Sequence, residues 1–162
     1  MKISILIISL IIFLSCNKSE SNAPDAIFDA PVITGYKLID NNGSARGLVG
    51  KPNVKTGISV DGIDYQLGVY PIPTIGFLGV AIKAPNDGQK RQIWIKRAVL
   101  IDIVPDVYHF NTINMKANAS VFDTTITENK LFIDKVNIPN GYYRLYVSVS
   151  GQILYENIVI TN

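Results

Sequence analysis

From Val32 to the end of the chain, apolar and polar side chains alternate over short runs instead of recurring every three or four positions. A repeat of two places successive side chains on opposite faces of an extended chain, so this is a strand pattern. β-Branched and aromatic residues fill the runs, and Gly, Pro, Asn and Asp separate them. The pattern predicts strands over 32–40, 54–60, 63–70, 75–83, 91–103, 107–113, 119–126, 130–138, 142–149 and 152–160. The punctuation has its own physical reasons. Val60-Asp61-Gly62-Ile63 puts Asp-Gly at the two central positions of a tight hairpin, where positive φ is required. Pro85-Asn86-Asp87-Gly88 is a longer reversal, and Ser150-Gly151 closes a last hairpin. No window shows a sustained helical period, and no internal repeat is visible. Closely spaced strands without intervening helices predict an all-β fold, an antiparallel sandwich or barrel.

Alternation also sorts residues by face. Between Arg91 and Ile103 it groups Ile93, Ile95, Val99, Ile101 and Ile103, leaving Trp94 opposite with Gln92 and Lys96. Between Tyr142 and Val149 it groups Tyr143, Leu145, Val147 and Val149, leaving Tyr142, Arg144 and Tyr146 opposite. Trp, Tyr and Arg on a polar sheet face are the side chains that dominate interfaces, and a flat indole with an N–H donor suits a sugar ring. Trp94, Tyr142, Arg144 and Tyr146 are therefore the candidate binding residues. Two alternatives stand beside this reading: a bulge that turns Trp94 into the core, or a second sheet that leaves both faces covered.

The first residues follow a different pattern. After Met1-Lys2 comes a twelve-residue run from Ile3 to Leu14, apolar but for its serines, and then Ser15-Cys16. A basic start, a short apolar run and a small residue before the cut compose a secretory signal. The run is shorter than the roughly 20 residues a membrane-spanning helix needs. Phe13-Leu14-Ser15-Cys16 resembles the lipobox of bacterial lipoproteins, in the looser form found in Bacteroidota. That resemblance implies cleavage before Cys16, lipid on its sulfur and a place in the cell envelope, at the outer membrane. Two or three acyl chains make a durable anchor where one gives marginal binding. Asn17 to Pro31 is mostly small and polar, which reads as a tether; fifteen such residues reach roughly 20 Å. An acidic cluster after the cysteine would resemble a surface-export signal, but only Glu20 lies close to it. The expected organisation is a signal over 1–15, a lipidated tether over 16–31 and one domain over 32–162.

Composition narrows the chemistry. With Lys2 removed in the signal, 14 basic and 13 acidic side chains remain, without a basic run, which argues against a nucleic-acid partner. Lys90-Arg91 and Lys96-Arg97 read as solvated strand-edge charges. Cys16 is the sole cysteine, so a lipidated chain has no disulfide, thiol nucleophile or thiolate metal site. A histidine-based triad would have to use His109, the one histidine, and no Gly-x-Ser-x-Gly elbow accompanies it. One histidine also leaves zinc without its usual ligands. Asp61 and Asp64 flank a hairpin turn where Asp serves the backbone, Asp102 and Asp106 surround Pro105 at a strand-to-loop transition, and neither pair has a partner motif. No cofactor is expected. Asp123-Thr124-Thr125 resembles the short O-glycosylation sequon of Bacteroidota.

Ile138-Pro139-Asn140-Gly141-Tyr142-Tyr143, followed by alternating Leu145, Val147 and Val149 and a hairpin, resembles the end of immunoglobulin-like and fibronectin III-like domains. It is also similar to the C-terminal sorting domains of type IX secretion, from which only the fold is carried over. The resemblance implies a sandwich in which a tyrosine hydroxyl ties back to the loop before it. The expectation is thus a lipid-anchored, non-catalytic sandwich that binds an envelope protein or a glycan. A small hydrolase built on Asp61, Asp64, Asp102 or His109, and a barrel-type carrier of an apolar ligand, are the competing expectations.

Overall fold

The computed structural model describes residues 30–85, 88–101 and 120–162, which form an antiparallel β-sandwich. Cys16, the signal, the tether up to residue 29, Asn86, Asp87, Asp102, Ile103, Asp106, His109 and the strand expected over 107–113 lie outside the described residues. Twelve strands are described: β1 (Val32–Ile33), β2 (Gly35–Ile39), β3 (Ala45–Gly50), β4 (Gly57–Val60), β5 (Ile63–Tyr70), β6 (Phe77–Lys83), β7 (Arg91–Arg97), β8 (Val99–Leu100), β9 (Ser120–Ile126), β10 (Lys130–Asp134), β11 (Gly141–Val149) and β12 (Gln152–Ile160). One sheet has the order β10-β6-β5-β4 and the other β12-β11-β7-β9. The chain changes sheet after β6, returns after β9 and crosses again after β10. That is the Greek-key route of immunoglobulin-like sandwiches. β2 and β3 form a separate hairpin, and β1 pairs in parallel with β8.

The alternation works as expected in the long strands. Leu67, Val69, Leu78, Val80, Ile82 and Ile133 from one sheet meet Ile93, Ile95, Leu145, Val147, Leu154 and Ile158 from the other in a single buried cluster. The barrel that a carrier of an apolar ligand needs is not formed, because two stacked sheets fill their interior with their own side chains. Asp61 (φ 51°) and Gly62 (φ 77°) turn β4 into β5, while Ser150 (φ 49°) and Gly151 (φ 74°) turn β11 into β12. Both pairs take the left-handed conformation that a two-residue hairpin demands. Tyr143 lies at the start of β11 and its hydroxyl donates to the Pro139 carbonyl at 2.6 Å. The corner expected there is formed, and burial raises the phenol above its ordinary pKa, offset in part by Arg97.

Other expectations are corrected. The strand over 91–103 breaks at Ala98, whose amide donates to Tyr142 O, and resumes as the short β8 beside β1. The strand over 130–138 stops at Asp134, which caps a 3-10 turn by accepting from the Val136 amide. β3 was not expected; its Ala-Arg-Gly-Leu-Val-Gly sequence is almost wholly exposed, so no buried face imposes alternation. Arg91 is no solvated edge. It is fully buried and its guanidinium donates to the carbonyls of Pro85, Gln89 and Thr127. One planar cation thereby ties the β6–β7 connection to the β9–β10 turn, at the end of the sandwich away from Tyr143. Arg97 is half-buried over the Tyr143 ring.

Candidate functional site: an aromatic row on a sheet face

Register alone lines up four residues across the whole width of the β12-β11-β7-β9 sheet. Asp123 stands opposite Trp94, Trp94 opposite Tyr146, and Tyr146 opposite Tyr155. Their sheet neighbours Ile93, Ile95, Leu145, Val147 and Leu154 point into the core, so the row lies on the outer face. The irregularity in β7 falls between Ile95 and Lys96, beyond Trp94, and the indole is not turned inward. Trp94 and Tyr146 are stacked, with ring centroids 5.1 Å apart and planes 5° from parallel. Tyr155 continues the row at 5.9 Å from Tyr146, tilted by 50°. Cross-strand aromatic pairs of this kind contribute about 0.5–1.5 kcal/mol beyond the area they bury, and they fix the rings in place. All three rings remain partly exposed. Gln92, exposed and one position over, donates to both carboxylate oxygens of Asp123 at 3.3 Å.

Two of the four expected binding residues do not belong to an exposed surface. Tyr142 and Arg144 share the outer face with Tyr146, but they are 1% and 5% exposed. The N-terminal segment lies over them. Tyr36 of β2 packs near Tyr142, with ring centroids 6.1 Å apart. Arg144 donates through Nη2 to the Val32 carbonyl at 2.7 Å and through Nε to Asn157 Oδ1 at 3.0 Å. Asn157 in turn donates to the Gly35 carbonyl and to Asn53 Oδ1. Asn53 completes the clasp by donating to Val32 O. Arg144 therefore fastens β1 and the 53 region to the sheet, and a partner cannot reach its guanidinium. Its charge still bears on the open row, because the guanidinium carbon sits 4.9 Å from the Tyr155 centroid. Cation–π contact of this geometry holds the phenol ring and makes the covered half of the face a rigid wall for the open half.

Tyr155 is a member of the row that alternation did not single out, although the 152–160 strand was expected. Its position opposite Tyr146 follows only from the hairpin register set at Ser150-Gly151. Main-chain bonds to Lys55, at 3.0 and 2.8 Å, close the edge of β12 beside it. A signal for the covered half was present: Tyr142-Tyr143 and Ile158-Val159-Ile160 are consecutive bulky apolar residues, which a strand with one wet face does not carry. Near the same edge Glu156 is buried, with Lys37 Nζ 2.6 Å from its carboxylate. Burial raises the Glu156 pKa above the usual carboxylate range, and the Lys37 ammonium draws it partly back.

Of the residues proposed for acid–base chemistry, only Asp61 and Asp64 are among the described residues. Asp61 and Asp64 are both exposed at the β4–β5 hairpin, with Asp64 4.0 Å from Lys83. Among the described residues, no three His, Cys, Asp or Glu side chains gather to hold a metal ion. Thr124 of the sequon-like triplet stands opposite Ile93, so its hydroxyl is on the inward side of an edge strand. No helix among the described residues is long and apolar enough to cross a membrane. Compared with known proteins, the chain matches no family model and no curated sequence.

Proposed function

We propose that this chain is a lipid-anchored envelope protein whose sandwich is non-catalytic and binds a protein or glycan partner on the Trp94–Tyr146–Tyr155 row. The observation that carries the reading is the row itself: three rings, registered across three strands, held rigid and left partly open. Rigid aromatics lose little conformational entropy on binding, and their flat faces and polar edges serve a sugar ring or a protein hot spot equally. Gln92 and Asp123 supply a donor and an acceptor on the same face. The anchor is supported by the lipobox-like residues up to Cys16 and the tether-like composition after it. Tyr142 and Arg144 hold the wall of the site in place and make no contact with the partner.

The test is capture of partners from detergent-solubilised envelope, together with binding to an array of envelope and extracellular glycans. Trp94→Ala and Tyr146→Ala should each weaken the captured interaction by about tenfold or more, as hot-spot truncations do. Recovery of no partner and no glycan, or wild-type binding by both variants, would sink the binding assignment.

A further inference from the structure

The opposite sheet carries a second exposed surface of different chemistry. β6 and β10 pair with Phe77 opposite Asp134 and Gly79 opposite Phe132, while Leu78, Val80 and Ile133 point into the core. Phe77 and Phe132 are therefore diagonal neighbours on the outer face, and they are 62% and 67% exposed. The strip continues past the strands to Ile75 (65%) and Val136 (78%), where the Lys135 amide donates to Gly76 O and keeps the two chains side by side. Gly79, beside Phe132, is covered by an aromatic ring. A side chain at Gly79 would meet the Tyr70 ring, which lies across that position. Lys130 and Lys83, both exposed, follow on the same face, with Asp64 4.0 Å from Lys83. The Asp134 carboxylate within the strip is turned to the Val136 amide.

The position of the strip is as telling as its composition. β10 runs through the 3-10 turn into the start of β11, where Tyr142 O accepts from Ala98, and the adjoining Val99 amide donates to Pro31 O. The N-terminal end of the described domain thus enters at the same end of the sandwich as Val136 and Ile75. An apolar patch on a monomer's surface calls for an occupant. Trp and Arg are absent from the strip and Tyr70 is its one hot-spot residue type; phenylalanine and aliphatic side chains with lysines at the margin are what an interfacial lipid contact uses.

We propose that the Ile75–Phe77–Phe132–Val136 strip docks on the lipid surface, with Lys83 and Lys130 facing acidic headgroups. As a statement about the membrane that holds this chain, it rests on the lipidation reading of Cys16. A tether reaching roughly 20 Å keeps the strip close to the bilayer, so a weak surface affinity suffices once the chain is anchored. Docking through this sheet turns the Trp94–Tyr146–Tyr155 row, on the outer face of the other sheet, away from the lipid and toward partners.

The test uses the chain from Cys16 onward with Cys16→Ser, so that no acyl chain contributes. It is floated with vesicles of phosphatidylcholine alone and of phosphatidylcholine mixed with phosphatidylglycerol. The expected result is binding that is stronger to the acidic vesicles and falls about tenfold or more in the Phe77→Ser/Phe132→Ser variant. Lys83→Gln/Lys130→Gln should remove the preference for acidic vesicles and leave the remainder. Both Phe positions are exposed, and an unchanged urea midpoint verifies that the variant is folded. No binding to either vesicle, or equal binding by the Phe variant, overturns the proposal; so does self-association without vesicle binding that the Phe variant abolishes. The anchor is tested separately by the intact mass of the protein extracted from its native membrane. A Cys16 without acyl mass would overturn the lipidation reading while leaving the vesicle result to stand.

Discussion

Replacing Arg144 by methionine separates a structural arginine from a binding one. The substitution keeps most of the aliphatic stem and removes the guanidinium, which bonds Val32 O at 2.7 Å and Asn157 Oδ1 at 3.0 Å and lies over Tyr155. Hydrogen bonds from a charged donor contribute about 1.5–3 kcal/mol each. A desolvated cation–π contact adds about 2 kcal/mol. Against that stands the cost of keeping a cation out of water, which methionine relieves and which amounts to several kcal/mol. Val32 O retains Asn53 as a donor, so one of the two main acceptors is not orphaned. The net loss should be about 2–4 kcal/mol, which for a domain of this size is a melting-point drop of about 10 °C. Urea unfolding followed by circular dichroism gives the stability. Amide exchange at Val99 and Ile101, whose N–H groups bond to Pro31 O and Ile33 O, reports whether β1 has come loose. Exchange at those two amides should rise before exchange in β11 does. A midpoint within about 0.5 kcal/mol of wild type, the range of ordinary surface substitutions, would refute the clasp if protection at Val99 were also unchanged.

Tyr143→Phe removes the hydroxyl that reaches Pro139 O and should cost about 1 kcal/mol in urea unfolding, since that carbonyl sits in an exposed loop residue that water can serve. Glu156 makes stability depend on pH. Its folded pKa is raised, so its contribution is fully present below the unfolded carboxylate pKa and is lost as pH rises through the folded value. Glu156→Gln should flatten that part of the pH–stability curve, and an identical slope above the ordinary carboxylate pKa in both proteins would contradict the assignment.

Much of the sandwich was legible because period-two alternation and turn chemistry are local. β5 and β12 fall at the expected residues, and the Asp61-Gly62 and Ser150-Gly151 turns adopt the positive φ their residue types permit. The Tyr143 bond to Pro139 spans four residues and was within reach of a motif. β3 was not legible, because a hairpin arm exposed along most of its length has no buried face to write a pattern. Arg91 was misplaced for a related reason: a charged side chain at the end of an alternating run looks solvated until three loop carbonyls are seen to converge on it. The candidate site was half legible. Trp94 and Tyr146 fell on the correct face, while Tyr142 and Arg144 on that face proved to be covered.

By itself, then, the sequence determined the strand-rich class, the position of the tight turns, the inward face of each long strand and the expectation of a lipid on Cys16. Alternation distinguishes two faces of a strand and is silent about what packs on either. That decision belonged to contacts between distant segments, such as Arg144 with Val32, 112 residues apart in the chain. Pairing between strands aligned Trp94 with Tyr146 and set Phe77 beside Phe132; the β11–β12 turn added Tyr155, because register follows from turn geometry and from which faces are buried together.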